Sequence, residues 1–441
     1  MDEILVRPRA ACQTMQGFGA SGAWWAHHVG LWPDTDLERV LRLLFDARTG
    51  IGLSVYRYNI GAGGGEEIRD PWRRAETFLV RPGVYDWSRD AGGRRVLRAA
   101  CALGVPNLIA FANSPPAALT ISGLASGGPQ GASNLAPDAN RAYAQYLVDV
   151  LTRLRRVEGV PVGWISPINE PQWDWNPGKG QEGCHWEVDE GVALLREVVT
   201  SLSRAGLGVR VSAPECGDWK SCTPWLEALE AEPWAAGALP HLALHSYWSR
   251  REDRVAVADW MASRSRTLPL WMSEWCEMRP GRDMGMDSAL VLAQTVHDDL
   301  VLGGVTSWQY WIGVSKYDYR DGLLYVDESS RAVLPTKRLW ALGNFSRFVR
   351  PGAVRLEADC THPEVRAMAF SEARGAHLVL VAINLAQQDI ALGLRTYGKA
   401  DLHPLEAWVT SEEHDLAAVA VGRGPVRLAG RSVTTVLLTA V

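Results

Sequence analysis

Two glutamates each stand at the end of a short apolar run. Glu170 lies in Ser-Pro-Ile-Asn-Glu-Pro, and Glu274 lies in Leu-Trp-Met-Ser-Glu-Trp. A buried strand has little use for an acid at its tip, whereas cleavage of a glycosidic bond needs one carboxyl to give a proton and another to attack or stabilise the anomeric carbon. The pattern therefore predicts that Glu170 and Glu274 are a catalytic pair for sugar chemistry.

The stereochemical outcome depends on the distance between the two carboxyls. A separation of about 5–5.5 Å lets one carboxylate act as nucleophile and gives retention, whereas about 6.5–9.5 Å leaves room for water and gives inversion. The sequence by itself leaves both outcomes open.

Short apolar segments that predict β-strands recur along most of the chain. They cover 15–21, 53–60, 107–113, 163–170, 209–215, 241–247, 270–274 and 305–311. Segments with helical periodicity lie between most of them, at 37–45, 93–102, 140–155, 188–204, 254–264 and 288–302. Eight strands alternating with helices predict an α/β fold, the (β/α)8 TIM barrel, in which catalytic groups come from the C-terminal ends of the strands. Glu170 ends the fourth segment and Glu274 the seventh, so the two carboxyls can face one another.

After about residue 343 the pattern changes to strands joined by turns. The segments 354–357, 365–370, 377–384, 390–394, 405–410 and 432–441 alternate without a helix between them. We therefore predict a catalytic barrel over 10–343 and an all-β C-terminal β-sandwich over 344–441. The N-terminal segment 1–9 is short and apolar, and we expect it to add a strand to that sheet.

Composition narrows the classes of ligand. The net charge is −5, and the chain has no Lys/Arg run with interleaved aromatic residues, which argues against nucleic acid. The longest apolar runs are strand-length, far below the roughly 20 residues that span a membrane. The first residues are acidic and lack the apolar stretch of a signal peptide. We expect a cytoplasmic protein as written, or a secreted one if the native N-terminus has been trimmed.

The seven cysteines are scattered and contain no Cys-x-x-Cys pair. This pattern predicts reduced thiols. A zinc site built from Cys184, His185, Cys216 and Cys222 is not favoured, because the spacings match no usual structural pattern. We expect neither a metal nor a cofactor.

Tryptophan is unusually frequent, with 20 residues, and several indoles lie near predicted strand ends. Indole faces stack on the C–H faces of sugar rings while the ring N–H remains free to bond hydroxyls. A cleft lined in this way suits carbohydrate. Core packing is the alternative for about half of these residues.

An ordered set of motifs resembles glycoside hydrolase family 30. In chain order they are Gly17-Phe-Gly-Ala-Ser, Arg57-Tyr-Asn-Ile-Gly, Ser114-Pro-Pro, Asn169-Glu-Pro, His245-Ser-Tyr, Ser273-Glu-Trp and Trp308-Gln-Tyr-Trp. The segments 169–175 and 181–184 are similar to the endo-β-1,6-galactanase subgroup. The resemblance implies a retaining mechanism with Glu170 as general acid/base and Glu274 as nucleophile. It also implies that Asn169 hydrogen-bonds the sugar 2-hydroxyl.

Four further residues are expected close to the pair. Arg57 is expected to donate to Glu274 and keep it ionised, because an adjacent cation lowers a carboxylate pKa; a purely structural ion pair is the alternative. Tyr247 is expected to hydrogen-bond Glu274. His245 either binds nearby or is satisfied in the core, and Glu215 either bonds substrate hydroxyls or pairs with a neighbour.

The remaining candidates are substrate contacts. Trp311, at the tip of the eighth strand, would form the wall of a sugar subsite or else cap the barrel. Trp24, Trp25 and Asn113 are placed where glycone contacts are expected, although Trp25 could equally pack beneath. Trp173 belongs to 172–186, a stretch rich in Trp and Gly that we expect to form a loop over the cleft and select the substrate.

These observations predict a retaining β-glycoside hydrolase, most similar to an endo-β-1,6-galactanase acting on β-galactan. One alternative is another family 30 β-glycosidase, of the β-fucosidase, β-glucosidase or glucosylceramidase, or β-xylosidase type. The other is a carbohydrate-binding barrel that no longer catalyses. The presence of both carboxylates with their neighbours argues against the latter.

Overall fold

The computed structural model describes residues 2–264, 268–372, 377–397, 402–422 and 424–440. The chain divides into two compact units. The first comprises Met1–Gly19, Arg42–Ser54 and Cys276–Val441, and the second comprises Ala20–Leu41 and Val55–Trp275.

Nine short strands form a barrel sheet. Barrel strands 1 to 4 are Gly17–Ser21, Val55–Asn59, Asn107–Phe111 and Trp164–Ser166; strand 5 is divided into Arg210–Val211 and Pro214–Cys216; strands 6 to 8 are Leu242–His245, Leu270–Glu274 and Ser307–Tyr310. The order in the sheet is 5 (first part), 4, 3, 2, 1, 8, 7, 6, 5 (second part). Both edges of the sheet are parts of the same strand, so the sheet closes. The predicted (β/α)8 barrel is confirmed, with all eight strands at their predicted places.

Helices follow most of the barrel strands. They are Ala26–Val29, Asp34–Phe45, Ala91–Ala102, Asn140–Thr152 with a π-helical extension Arg153–Val157, Val188–Ala205, Trp219–Ala231, Ala235–Ala238, Arg251–Ala262, Met286–Val301 and Lys337–Ser346. Short 3-10 turns are Pro71–Arg73, Ala117–Leu119, Pro129–Gly131 and Pro177–Lys179. Helix Trp219–Ala231 was not predicted, because Pro224 lies inside it and proline normally ends a helical pattern. Asp218 caps the start of this helix by accepting the Ser221 N–H at 2.7 Å, and Trp219, Trp225 and Leu226 are buried on it.

A second nine-stranded sheet makes the β-rich part. Its strands are Glu3–Thr14, Val354–Cys360, Val365–Ser371, Leu378–Asn384, Ile390–Thr396, Leu402–Thr410, Ala417–Val419, Val426–Leu428 and Ser432–Ala440. The N-terminal strand pairs antiparallel with Val354–Cys360 and parallel with Ile390–Thr396. Alternate residues from these strands share one apolar core, which includes Val6, Leu380 and Leu438. This all-β part agrees with the predicted class, whereas the boundaries 10–343 and 344–441 stay predictions.

Three elements are small. Val314–Ser315, Leu324–Val326 and Val333–Pro335 form a three-stranded sheet, and Leu79–Arg81 pairs with Val84–Tyr85. They were not predicted, because two or three residues are too few to show an alternating pattern. Among the described residues, no helix is long and apolar enough to cross a membrane.

Large side chains fill part of the barrel interior. Val55, Ile109, Ala243 and Trp271 form one buried cluster, with Trp164 packed against it. Such a packed interior leaves the strand ends as the place for polar side chains.

We expect Trp271→Ala to lower the free energy of unfolding by about 3–5 kcal/mol, because Trp271 is 1% exposed and its removal leaves a cavity that the strands cannot close. Denaturant unfolding measures this loss. Leu31→Ala is the control, since Leu31 is 65% exposed and should change the value by less than about 0.5 kcal/mol. A loss below about 1 kcal/mol for Trp271→Ala would contradict the packed interior.

Candidate active site

Five charged side chains meet inside the second unit. Arg57 lies in barrel strand 2, Glu215 in the second part of strand 5, His245 at the end of strand 6 and Glu274 at the end of strand 7, while Glu170 follows strand 4. All five are buried, and Glu170 is the most exposed at 8%. The barrel therefore brings the two predicted catalytic glutamates together with three of their predicted neighbours.

The two glutamates are close enough for direct attack on a shared sugar. One carboxylate oxygen of Glu170, one of Glu274 and a ring nitrogen of His245 all lie within 4.8 Å of one another. This approach of the two oxygens fits a retaining pair, whose carboxyl groups are about 5–5.5 Å apart.

Arg57 connects the carboxylates. One terminal guanidinium nitrogen donates to Glu274 Oε2, and the other donates to Asn169 Oδ1 at 3.2 Å and Glu215 Oε2 at 3.4 Å. The guanidinium carbon lies 3.9 Å from the centre of the Phe111 ring. The expected donation from Arg57 to Glu274 is present.

His245 lies among three carboxylates. Its Nδ1 is 3.3 Å from Glu170 Oε1 and 3.6 Å from Glu274 Oε1, and its Nε2 is 3.3 Å from Glu215 Oε2. Burial alone favours the neutral ring, but the charge of Glu274 and the hydrogen bonds to Glu170 and Glu215 raise the pKa of His245 to about 9. At neutral pH the ring is a cation that donates from both nitrogens.

The protonated ring also bears on metal binding. Glu170, His245 and Glu274 have the spacing of a three-ligand metal site. A metal needs a ring nitrogen with a free lone pair, and an imidazolium has none. A metal ion would have to displace the His245 proton to bind here, and the protonated group forms a charge network.

Glu215 is enclosed by donors. Besides Arg57 and His245, its carboxylate accepts the Ser166 hydroxyl at 2.5 Å, the Ser212 hydroxyl at 3.1 Å and the Ser273 hydroxyl. Burial by itself raises its pKa, but the Arg57 charge and the His245 and Ser166 hydrogen bonds outweigh burial and lower the pKa of Glu215 to about 2. Glu215 is fully buried, which favours pairing with its neighbours over contact with substrate hydroxyls.

At Glu274, burial and the neighbouring charges combine to a different effect on the pKa. Burial raises its pKa above the ordinary value and the negative charge of Glu170 adds to this, while the positive charges of His245 and Arg57 oppose it. The Tyr247 hydroxyl donates to Glu274 Oε1 at 3.1 Å, as expected. Both carboxylate oxygens of Glu274 are thus oriented by donors.

Four non-glycine residues with positive φ lie next to strand ends. They are Trp24 at 67°, Glu170 at 44°, Glu215 at 61° and Trp248 at 49°. Such residues are uncommon and cost free energy, and they concentrate in functional sites. The Glu170 turn is held by its own N–H, which donates to the Glu215 carbonyl at 2.9 Å.

The two other predicted polar residues, Asn169 and Asn113, each hydrogen-bond a neighbouring side chain. Asn169 is 5% exposed and already accepts from Arg57. Asn113 is 7% exposed and donates to Asn59 Oδ1 at 3.2 Å. Both stay predicted substrate contacts.

The predicted tryptophans differ in exposure. Trp25 is fully buried and donates its indole N–H to the Ser21 carbonyl at 2.9 Å, which favours the packing alternative. Trp24 is 8% exposed, with the Arg73 guanidinium 4.5 Å from its ring centre. Trp173 is half-buried. Trp311 lies in the first unit, directly after barrel strand 8, and is 7% exposed.

Some residues of the site were not predicted. Ser166 and Ser273 bond Glu215, but a serine in a strand gives no signal of a partner on another strand. Glu182 is 3% exposed and accepts the Ala62 N–H at 2.9 Å, and burial raises its pKa to about 8. Glu182 lies in the segment 181–184 that is similar to the galactanase subgroup, but its burial was not predicted.

Comparison with known proteins agrees with this geometry. The family model described as O-glycosyl hydrolase family 30 matches residues 1–227 and 238–325. The endo-β-1,6-galactanase of Hypocrea rufa is 23% identical over 419 residues, which cover 86% of this chain and 81% of that protein. The glucuronoxylanase XynC of Bacillus subtilis (strain 168) is 24% identical over 285 residues, covering 62% of this chain and 59% of that protein.

A solved structure shares the fold. The catalytic domain of the family 30 xylanase C from Talaromyces cellulolyticus superposes with a TM-score of 0.81 at 23% identity, covering 99% of each chain. The matching family model covers more than half of the chain, and the two carboxylates stand at the strand ends that the resemblance implied. The chain therefore belongs to glycoside hydrolase family 30 and is an O-glycosyl hydrolase.

Proposed function

We propose that this glycosidase hydrolyses internal β-1,6 linkages of galactan with retention of anomeric configuration. The observation that carries the retaining mechanism is the approach of Glu170 and Glu274 oxygens to within 4.8 Å. Such proximity favours direct attack by a carboxylate over attack by an activated water molecule.

The charges of the site support distinct roles for the two glutamates. Arg57 and protonated His245 supply two positive charges, and ionised Glu215 supplies one negative charge. The proposed mechanism needs one protonated and one ionised carboxyl, and the ionised one supplies the further negative charge that balances the group. We assign the negative charge to Glu274, because the donors Arg57 and Tyr247 bond its carboxylate and oppose the burial that raises its pKa.

The reaction then has two displacements. Glu274 attacks the anomeric carbon and forms a glycosyl ester, while Glu170 transfers its proton to the departing glycosidic oxygen. In the second step Glu170 takes a proton from water, and the resulting hydroxide attacks the anomeric carbon and releases Glu274. Each step breaks one bond at the anomeric carbon and forms another on the opposite face.

The galactan assignment rests on two supports. The endo-β-1,6-galactanase is matched over more of this chain than the glucuronoxylanase, 86% against 62%. The segments 169–175 and 181–184 are similar to that subgroup. Xylan is the second candidate, because other relatives and structural neighbours are named as xylanases.

We expect wild-type protein to release short oligosaccharides from de-arabinosylated β-1,6-galactan, with the β-anomer formed first in a proton NMR time course. Glu274→Ala should abolish release, and Glu170→Ala should lower it by about 10²–10⁴-fold, the usual value of general acid catalysis. Release from xylan in place of galactan would overturn the galactan assignment. The α-anomer as first product would overturn retention.

Tyr247→Phe should lower kcat by about tenfold to a hundredfold with little change in KM, because it removes a hydrogen bond to a charged group that changes during the reaction. Steady-state kinetics measures both constants. Tyr143→Phe is the matched control, since its buried hydroxyl donates to the Pro167 carbonyl at 2.8 Å rather than to a carboxylate. An equal loss of kcat in both variants would contradict a role for Tyr247 in orienting Glu274.

His245 should make stability depend on pH. Its pKa rises from 6.5 to about 9 on folding. The contribution is therefore fully present below about pH 6.5 and is lost as pH rises through about 9, with a magnitude on the order of 3 kcal/mol.

Denaturant unfolding of wild type and His245→Asn between pH 6 and 9.5 measures this contribution as the pH-dependent difference between the two proteins. Nitrogen NMR of the wild-type ring gives the same pKa without a variant. A ring that loses its proton near pH 6.5 would contradict the charge network.

A further inference from the structure

The proposed mechanism does not use the buried carboxyl of Glu182. This residue is 3% exposed and lies in the stretch 172–186, which we expect to form a loop over the cleft. Its Oε1 accepts the Ala62 N–H at 2.9 Å. Ala62 comes three residues after Asn59, the last residue of barrel strand 2. Glu182 therefore joins the loop after strand 4 to the turn after strand 2.

Two further contacts hold the segment around Glu182 in place. The Gly183 N–H donates to the Ala125 carbonyl at 3.0 Å. A Cβ built on Gly183 would lie 2.3 Å from the Trp175 ring, so a side chain at this position would force the ring away. The Trp175 indole N–H donates in turn to the Glu170 carbonyl at 3.0 Å. The loop that carries Glu182 is thus packed closely and also contacts the backbone of the proposed acid.

The Glu182 carboxyl is surrounded by hydrogen-bond donors. Burial raises its pKa to about 8, and hydrogen bonds from the Ala62 N–H, the Asn59 side chain and the Gly63 N–H oppose this rise. A carboxylate has only acceptors, and a protonated carboxyl keeps acceptor capacity. In either protonation state the carboxyl can accept from the amide nitrogen of Asn59, which therefore faces Glu182.

The orientation of Asn59 determines that of Asn113. Asn113 Nδ2 donates to Asn59 Oδ1 at 3.2 Å. Asn59 ends barrel strand 2 and Asn113 follows barrel strand 3, and the two residues are 8% and 7% exposed. The donors of an amide are on its nitrogen and its acceptors are on its oxygen. With its nitrogen directed at Asn59, Asn113 has its carbonyl oxygen left as an acceptor for a sugar hydroxyl.

We propose that Glu182 is a positioning residue that sets, through Asn59, which end of the Asn113 amide meets the substrate. Because the buried end of this chain of hydrogen bonds is an acceptor, both amides turn their nitrogens toward Glu182. The inference rests on the proposed glycosidase function and on Asn113 as a substrate contact. It deepens them, because Asn113 then selects a sugar hydroxyl that donates a hydrogen bond.

Glu182→Gln keeps the shape of the side chain but replaces one acceptor oxygen by a donor. When the glutamine oxygen accepts the Ala62 N–H, its nitrogen faces the Asn59 nitrogen, so both asparagine amides must turn over. We expect kcat/KM on β-1,6-galacto-oligosaccharides to fall by about tenfold, while the melting temperature stays within a few degrees of wild type. Adding Asn59→Asp should restore most of the activity, because an aspartate accepts both from the glutamine nitrogen and from Asn113.

Asn113→Ala tests whether Glu182 acts through Asn113. If it does, Glu182→Gln should cause no further loss in the Asn113→Ala protein, whereas a purely structural role would give two losses that multiply. Glu158→Gln is the matched control and should keep the kcat/KM of wild type. The Glu158 carboxyl accepts from Arg94 and Arg98 at 2.8 Å each rather than from an amide.

Three results would overturn the role of Glu182: no loss of activity in Glu182→Gln, no recovery on adding Asn59→Asp, or losses that multiply with Asn113→Ala. Each comparison is a ratio to wild type, so it is made on the oligosaccharide that wild type cleaves. If wild type cleaves xylan but not galactan, the galactan assignment fails. The same ratios measured with xylo-oligosaccharides then support or overturn the role of Glu182.

Discussion

The buried guanidinium of Arg57 is the interaction on which the site depends. It contacts Glu274, Glu215 and Asn169, which come from three different parts of the barrel. Removing one partner of a buried charge pair costs about 3–5 kcal/mol, because the remaining charge stays desolvated. The barrel must therefore hold its strand ends in one arrangement, and that arrangement sets the distance between the catalytic carboxyls.

His245 and Glu215 extend this network with opposite charges. The pKa of His245 is raised to about 9, and the pKa of Glu215 is lowered to about 2, so both side chains are charged at neutral pH. Their constant charges form a fixed background. In the proposed mechanism, the proton that moves during the reaction belongs to Glu170, outside this fixed background.

The fold and the approach of Glu170 to Glu274 were largely predictable from the sequence. Most barrel strands are short, largely apolar runs that end in a polar or aromatic residue, and this pattern needs no knowledge of the partner strands. Helix Trp219–Ala231 was missed because Pro224 breaks the local pattern, although Asp218 caps the start of the helix.

The features that could not be predicted from the sequence depend on contacts between segments that are far apart in the chain. Glu215 looked like Glu170 and Glu274, an acid at a strand tip, but Arg57, His245 and serines from other strands make it a buried partner. Trp24 and Trp25 are adjacent, yet only Trp25 packs completely. Burial of Glu182 likewise depends on the Ala62 N–H, far away in the chain.

At the residues with positive φ near the strand ends, selection for stability and selection for activity favour different amino acids. At Glu170, Glu215 and Trp248, glycine or asparagine would relieve the backbone cost. Any search for a more heat-resistant variant would favour such replacements. At Glu170 the gain would remove the proposed acid, and at Glu215 it would leave Arg57 and His245 short of a counter-ion. These positions should therefore resist the consensus changes that stabilise ordinary turns, and an evolving lineage that lost catalysis would be free to relax them.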